Sequence, residues 1–80
     1  MSGTVAADSK LLTALKALRT RLAKEEKVPA YVIFSNTTLE DMAAKQPKTM
    51  EQFLNVSGVG AVKAERYGNA FLEAISQLCK

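Results

Sequence analysis

The chemistry open to this sequence is carried by one aromatic ring and a group of cations. There is no histidine, and the lone Cys79 has only Lys80 beside it. Neither a Ser-His nor a Cys-His pair can be assembled. Glu40 and Asp41 are adjacent carboxylates, but consecutive helical residues diverge by about 100°, so they do not converge on a metal. The other acidic residues sit at helix starts and on exposed faces, as capping and dipole effects require. The chain therefore reads as a non-enzyme with no cofactor and no metal. What remains is Tyr31, in the apolar run Val28-Pro29-Ala30-Tyr31-Val32-Ile33-Phe34. A ring at the edge of a stiff connector, beside a lysine-rich helix end, can stack on a nucleic-acid base. By residue type alone, a core tyrosine with its hydroxyl at the surface is the commoner reading.

The elements that must position this ring follow from periodicity. Asp8 can cap a helix running to about Lys27, in which Leu11, Leu15, Leu18 and Leu22 form a narrow stripe widened by Leu12. Lys16, Arg19 and Lys27 fall on one shoulder of the stripe, and Lys10, Arg21 and Lys24 on the other. A solvated amphipathic face and a footprint for phosphates both fit this pattern. Pro29 stops the charged helix from continuing. The connector then reads as buried, with Val32, Ile33 and Phe34 supplying the packing and Tyr31 at its edge.

Next comes the capping cluster Ser35-Asn36-Thr37-Thr38. Asn36 alone, or Thr37 with Glu40, can open a helix to Lys45 with Leu39, Met42 and Ala43 inward. Gln46-Pro47 ends it. Thr49 and Gln52 form a second capping box, opening a short helix whose buried face is Met50, Phe53 and Leu54. Gly58-Val59-Gly60 is a tight hairpin-like turn feeding a last helix from about Gly60 to Leu78. It lacks the Gly-Lys-Ser/Thr ending of a phosphate loop. Its role is mainly close packing around Val56 and Val59, with phosphate contact beside Lys63 as a secondary one. The inner face of the last helix is Val62, Tyr67, Phe71, Ala74, Ile75 and Leu78. Lys63 and Arg66, three apart, project to one side. Gly68 suggests a bend or a close crossing by another helix, with the leucine face of the first helix as the candidate neighbour.

Size and composition bound these readings. Eighty residues make one small domain, with 48% apolar residues to fill its core. There is no disulfide partner for Cys79, so packed helices must supply the stability. Residues 1–7 read as a disordered lead-in or an expression remnant, and residues 8–80 as the folded unit. No run approaches the length of a membrane span. A single thiol suits a reducing compartment. Eleven basic against eight acidic residues give a net charge of +3, which permits a polyanionic partner without requiring one. The fold class is all-α: a small single-domain bundle of four to five helices with a hairpin-like Gly-Val-Gly turn.

Several motifs together resemble a known family. Leu15-x-x-Leu18-Arg19-x-x-x-Ala23-x-Glu25, the connector, and Thr38-Leu39-x-x-Met42-Ala43 are similar to the HRDC domain (helicase and RNase D C-terminal). The likeness continues through Pro47, Leu54-x-Val56-x-Gly58-Val59-Gly60 and Lys63-x-Glu65-Arg66-Tyr67-Gly68-x-x-Phe71, covering about residues 10–78. The Tyr-Val-Ile-Phe connector looks like the RecQ branch of DNA helicases. The resemblance implies an accessory domain of a 3′→5′ DNA helicase whose motor and ATP site lie elsewhere. It implies weak contact with DNA, preferably single-stranded, in repair and recombination. Partners would be DNA and the helicase core of the same parent chain. The domain would be monomeric, off the membrane, in bacterial cytoplasm at the nucleoid. The family's aromatic DNA-contact position falls on Tyr31, and its basic positions carry over to Lys24, Lys27, Lys63 and Arg66. Ala30 departs from the pattern, since many members have a second proline there. Two alternatives stay open: a protein-docking module, and an RNA-binding module of an RNase D-like nuclease.

Overall fold

In the computed structural model the backbone is described for residues 2–78 and the side chains for residues 10–78. Five helices follow in order: α1 (Ser2–Glu26), α2 (Ala30–Ile33), α3 (Asn36–Lys45), α4 (Met50–Phe53) and α5 (Ala61–Leu78). There is no strand among the described residues. The expected all-α class holds, and α2 is the fifth helix, formed inside the connector. Helix α1 packs against α2, α3 and α5, while α4 lies on α5. Helix α1 begins at Ser2, so Asp8 lies within it and is not its cap. Residues 2–7, expected to be a disordered lead-in, lie in this helix although Gly3, Thr4 and Val5 are poor helix formers. Cys79 lies outside the described residues.

Local signals fix the short elements. The cap of α3 is Ser35, whose Oγ accepts from Thr38 N at 3.2 Å and lies 3.0 Å from the Thr38 hydroxyl. Neither Asn36 nor Thr37, the expected caps, takes that place. Thr38 is buried and its hydroxyl needs a partner, which Ser35 supplies. Helix α3 stops at Gln46, whose left-handed backbone (φ 47°) turns its N–H onto Met42 O at 2.8 Å ahead of Pro47. Thr49 caps α4 as expected, accepting from Gln52 N at 3.1 Å. The Gln52 side chain reaches back to Lys48 N at 2.7 Å, one residue beyond the usual capping-box target.

The core is organised on Phe34, the last residue of the connector. Its ring meets Phe53, Tyr67 and Phe71 edge-on, at centroid distances of 6.1, 6.1 and 5.2 Å. Leu11 and Leu15 from α1, Ile33, Leu39 and Met42, and Ile75 are buried around this cluster. Four residues expected inside are exposed: Val32, Leu54, Val62 and Leu78. In α5 the buried stripe runs through Ala64, Tyr67, Gly68, Phe71 and Ile75. Val62 sits about 160° from its centre, and Leu78 lies a turn beyond its last member. Gly68 does mark a close crossing, but with α4. A Cβ there would lie 2.8 Å from Met50 Cε and 3.5 Å from the Phe53 ring, and the expected partner on α1 is not involved.

The turn before α5 is tied down by α3. Asp41 Oδ2 accepts from Ser57 N at 2.7 Å and pairs with Lys45 at 3.0 Å, while Lys45 donates to Asn55 O at 2.9 Å. The Ser57 N–H, followed by the Lys45 hydrogen bond, holds the Asp41 carboxyl below its ordinary value of 3.8. Gly58 in the same turn has φ +83°, and any side chain there would collide with the Thr38 hydroxyl.

Two outcomes follow for stability. Phe34→Ala removes the three edge-on ring contacts of Phe34 and costs about 3–5 kcal/mol, out of a total of about 4–12 kcal/mol for a chain this long. Urea unfolding followed by circular dichroism will show it largely unfolded or strongly shifted, and a wild-type midpoint would contradict the hub. A carboxyl with a lowered folded-state pKa stabilises above its unfolded value, and that stability is lost as pH falls through the folded value. Asp41→Ala therefore lowers stability near pH 7 by about 1 kcal/mol. The gap to wild type closes as thermal melts are taken below pH 3.8.

Candidate nucleic-acid interface

Helix α1 ends in a motif whose geometry is set by backbone hydrogen bonds. Val28 N donates to Ala23 O at 3.0 Å and Lys27 N to Lys24 O at 3.2 Å. This pair of bonds is a Schellman motif, and it places Lys27 in the left-handed conformation, φ 59°. Glycine is the usual occupant of that position because it has no Cβ to clash. Here a lysine occupies it, exposed, with Val28 and Ala23 packed on the core side. The sequence reading had Lys27 inside the last turn of the helix; it lies just past the end.

Pro29 then starts α2, whose Val32 N bonds back to Pro29 O at 3.0 Å. This single turn is anchored by Ile33 and Phe34, both buried, and leaves Tyr31 72% exposed. Tyr31 is thus a surface ring, not the core tyrosine favoured by residue type. A second anchor comes from α1, where Arg19 Nη1 donates to Phe34 O at 2.9 Å. Arg19 was counted among the basic shoulder residues, yet it works inward as a clamp on the connector. Its Nε is buried and has no hydrogen-bond partner.

The first two turns of α5 close the site from the other side. The Lys63 ammonium lies 6.0 Å from the centroid of the Phe34 ring. Arg66 Nη2 is 3.1 Å from Glu26 Oε1, and its guanidinium lies 5.5 Å from the Tyr67 ring centroid. Tyr67 donates its hydroxyl to the same Glu26 oxygen at 3.2 Å. Burial raises the Tyr67 phenol above its usual value; the Arg66 charge opposes this and Glu26 adds to it. Lys27 follows Glu26 directly, and Tyr31 lies one helical turn before Phe34. The end of α1 and the start of α5 meet at a junction through Glu26 and Arg66, and the connector meets α5 there through Phe34 and Lys63; Lys27 and Tyr31 are exposed and near these contacts in the chain. Lys24 is exposed one turn back along α1. Of the expected cations, Arg66 alone is engaged with a carboxylate within this junction. Nothing at the sequence level pointed to Glu26, forty positions from its partner in the chain.

Among the described residues, no three His, Cys, Asp or Glu side chains cluster as metal ligands. No described helix is long and apolar enough to cross a membrane. Beside the α4–α5 turn, an open groove of about 420 Å³ is lined by Met50, Leu54, Ala61, Val62 and Glu65.

A five-helix bundle with its connector threaded through an aromatic hub defines the class: a small all-helical domain. The HRDC domain profile matches residues 8–75, and the chain belongs to that family. Its fold matches the third HRDC domain of RecQ from D. radiodurans with a TM-score of 0.88. The two are 40% identical, over 91% of this chain and 96% of that one. The ATP-dependent DNA helicase RecQ of Pasteurella multocida is 41% identical over 70 residues, which is 88% of this chain but 11% of the helicase. The ATP-dependent DNA helicase Q-like 4B of Arabidopsis thaliana is 46% identical over 67 residues, 81% of this chain and 6% of that protein. A similar match, 40% over 68 residues, is made to the ATP-dependent DNA helicase UvrD2 of Mycobacterium tuberculosis, covering 85% of this chain and 10% of that helicase. The chain thus spans about a tenth or less of the length of these helicases.

Lys27 gives a direct test of the geometry. Lys27→Gly relieves the left-handed conformation and raises stability by about 0.5–1 kcal/mol, read as a higher urea midpoint with an unchanged slope. A lower midpoint would mean that the Lys27 side chain stabilises the fold.

Proposed function

We propose that this domain is an auxiliary DNA-contacting unit of a RecQ-type DNA helicase. It rests an unpaired or partly unwound strand on Tyr31 while neighbouring cations hold phosphates. The observation that carries this reading is the exposure of Tyr31, on a single helical turn pinned at Ile33 and Phe34 and clamped by Arg19. A tyrosine offers its ring face to any base, so the contact is tolerant of sequence. Lys27 supports the same reading. A charged residue kept where glycine would be more stable is accounted for by use of its charge. Lys24, Lys63 and Arg66 extend the basic surface to α5. The domain needs no cofactor, acts as a monomer and leaves chemistry to the motor. The parent enzyme would work on chromosomal DNA at the nucleoid.

One stacked base contributes roughly 1–3 kcal/mol, and a few phosphate contacts add attraction that falls with salt. Binding of a short labelled oligothymidylate, followed by fluorescence anisotropy, is expected to be micromolar or weaker and to fade steeply with salt. Tyr31→Ala should weaken it about 5- to 150-fold with an unchanged melting curve, and Lys27→Gly should weaken it despite higher stability. No binding at low salt would sink the reading. A preference for RNA of equal length would favour a nuclease setting.

A second reading has its own observation. Leu54 and Val62 are exposed beside the groove at the α4–α5 turn, Val62 by 69%. Such a surface suits docking against the motor of the same parent helicase. In an NMR titration of the domain, adding the motor fragment would then shift signals of Leu54, Val62 and Glu65, and adding a short oligonucleotide would not.

A further inference from the structure

We infer that Glu26 is an internal competitor for Arg66, a built-in carboxylate that holds the guanidinium a strand would otherwise recruit and so limits polyanion affinity. This inference rests on the DNA-contacting reading of the same surface. Guanidinium recognises carboxylate and phosphate oxygens through the same N–H donors. Glu26 Oε1 therefore occupies Arg66 Nη2 at 3.1 Å as a phosphate oxygen would. Tyr67, buried and fixed in the aromatic hub, holds that oxygen with its hydroxyl at 3.2 Å. The carboxylate consequently stays in place when Arg66 leaves.

The release is easy. The Arg66 side chain is 57% exposed and that of Glu26 35%. An ion pair this open opposes departure by no more than about five-fold. Arg66 also has a pivot, since its guanidinium lies 5.5 Å from the Tyr67 ring centroid and can swing outward over that face. Two states of one side chain result. Arg66 pairs with Glu26 in the free domain and with a phosphate in the complex. A polyanion gains that contact only when it outcompetes the carboxylate.

The experiment is an anisotropy titration with labelled oligothymidylate across several salt concentrations, using wild type, Glu26→Gln, Glu25→Gln, Arg66→Gln and the Glu26→Gln/Arg66→Gln double variant. Glutamine at 26 keeps an acceptor for the Tyr67 hydroxyl, and Glu25 supplies the same charge change on a different face of α1. Glu26→Gln should tighten binding about two- to five-fold with a salt slope close to wild type, since Arg66 meets a phosphate in both complexes, whereas Arg66→Gln should flatten the slope by about 0.7. Glu25→Gln should tighten it less and leave the slope alone. Without Arg66, Glu26→Gln should do no more than Glu25→Gln.

The inference is overturned if the two glutamine variants match each other, or if the full gain survives loss of Arg66. The wild-type domain gives an independent reading by NMR, in which the Arg66 Nε–H signal should move on saturation with the oligonucleotide. An unmoved signal overturns the inference even if a variant fails to fold. Binding that depends on Tyr31 but shows no Glu26–Arg66 coupling ends this inference alone. Absence of binding by both wild type and Glu26→Gln ends the DNA reading with it.

Discussion

The fold depends on one ring. Phe34 terminates the connector, and three aromatic side chains from α4 and α5 meet it edge-on. Each such pair adds about 0.5–1.5 kcal/mol beyond the burial of its area. The backbone carbonyl of the same residue is held by Arg19 from α1. Through this residue the first helix, the connector and the last two helices are held in register. The exposed Tyr31 has a defined direction because the turn that carries it ends on a residue with no freedom left.

The surface proposed to meet DNA is therefore a by-product of packing as much as of charge. Lys27 sits at the end of α1 because the Schellman bonds turn the chain there. Lys63 is placed by the stripe that buries Ala64 and Tyr67. Glu26 is where it is because Tyr67 gives it a hydroxyl to bind. Arg66 is the cation held back by a neighbour of opposite sign, and the others face solvent or an aromatic ring. Net charge alone, +3, describes this surface poorly, since a single carboxylate at the junction changes what one of its cations can reach.

Much of the bundle was legible from local pattern. The stripe Leu39-Met42-Ala43 and the Thr49 cap follow from spacings of a few residues and are found as expected, and the turn at Gly58 was legible too, although Thr38 and Asp41 of α3 hold it. What could not be read involves partners far apart in the chain. Arg19 looked like surface charge because its target, Phe34 O, lies on another element. Val62 looked like core because aliphatic character says nothing of direction when the helix start is uncertain by a residue. Gly68 announced a close neighbour without naming it, and Met50 proved to be that neighbour. Tyr31 and Lys27 were singled out by type and family likeness. Their exposure and the left-handed backbone came only with the coordinates.

The reach of the Phe34 contacts bears on how the chain is made. During synthesis α1, α2 and α3 leave the ribosome able to pack on one another but with the Phe34 ring uncovered, because the rings that enclose it arrive with α4 and α5. The aromatic hub cannot form from these three helices alone. It closes as one event once Phe71 has emerged, and a nascent chain stalled before that point would present a bare aromatic surface to chaperones.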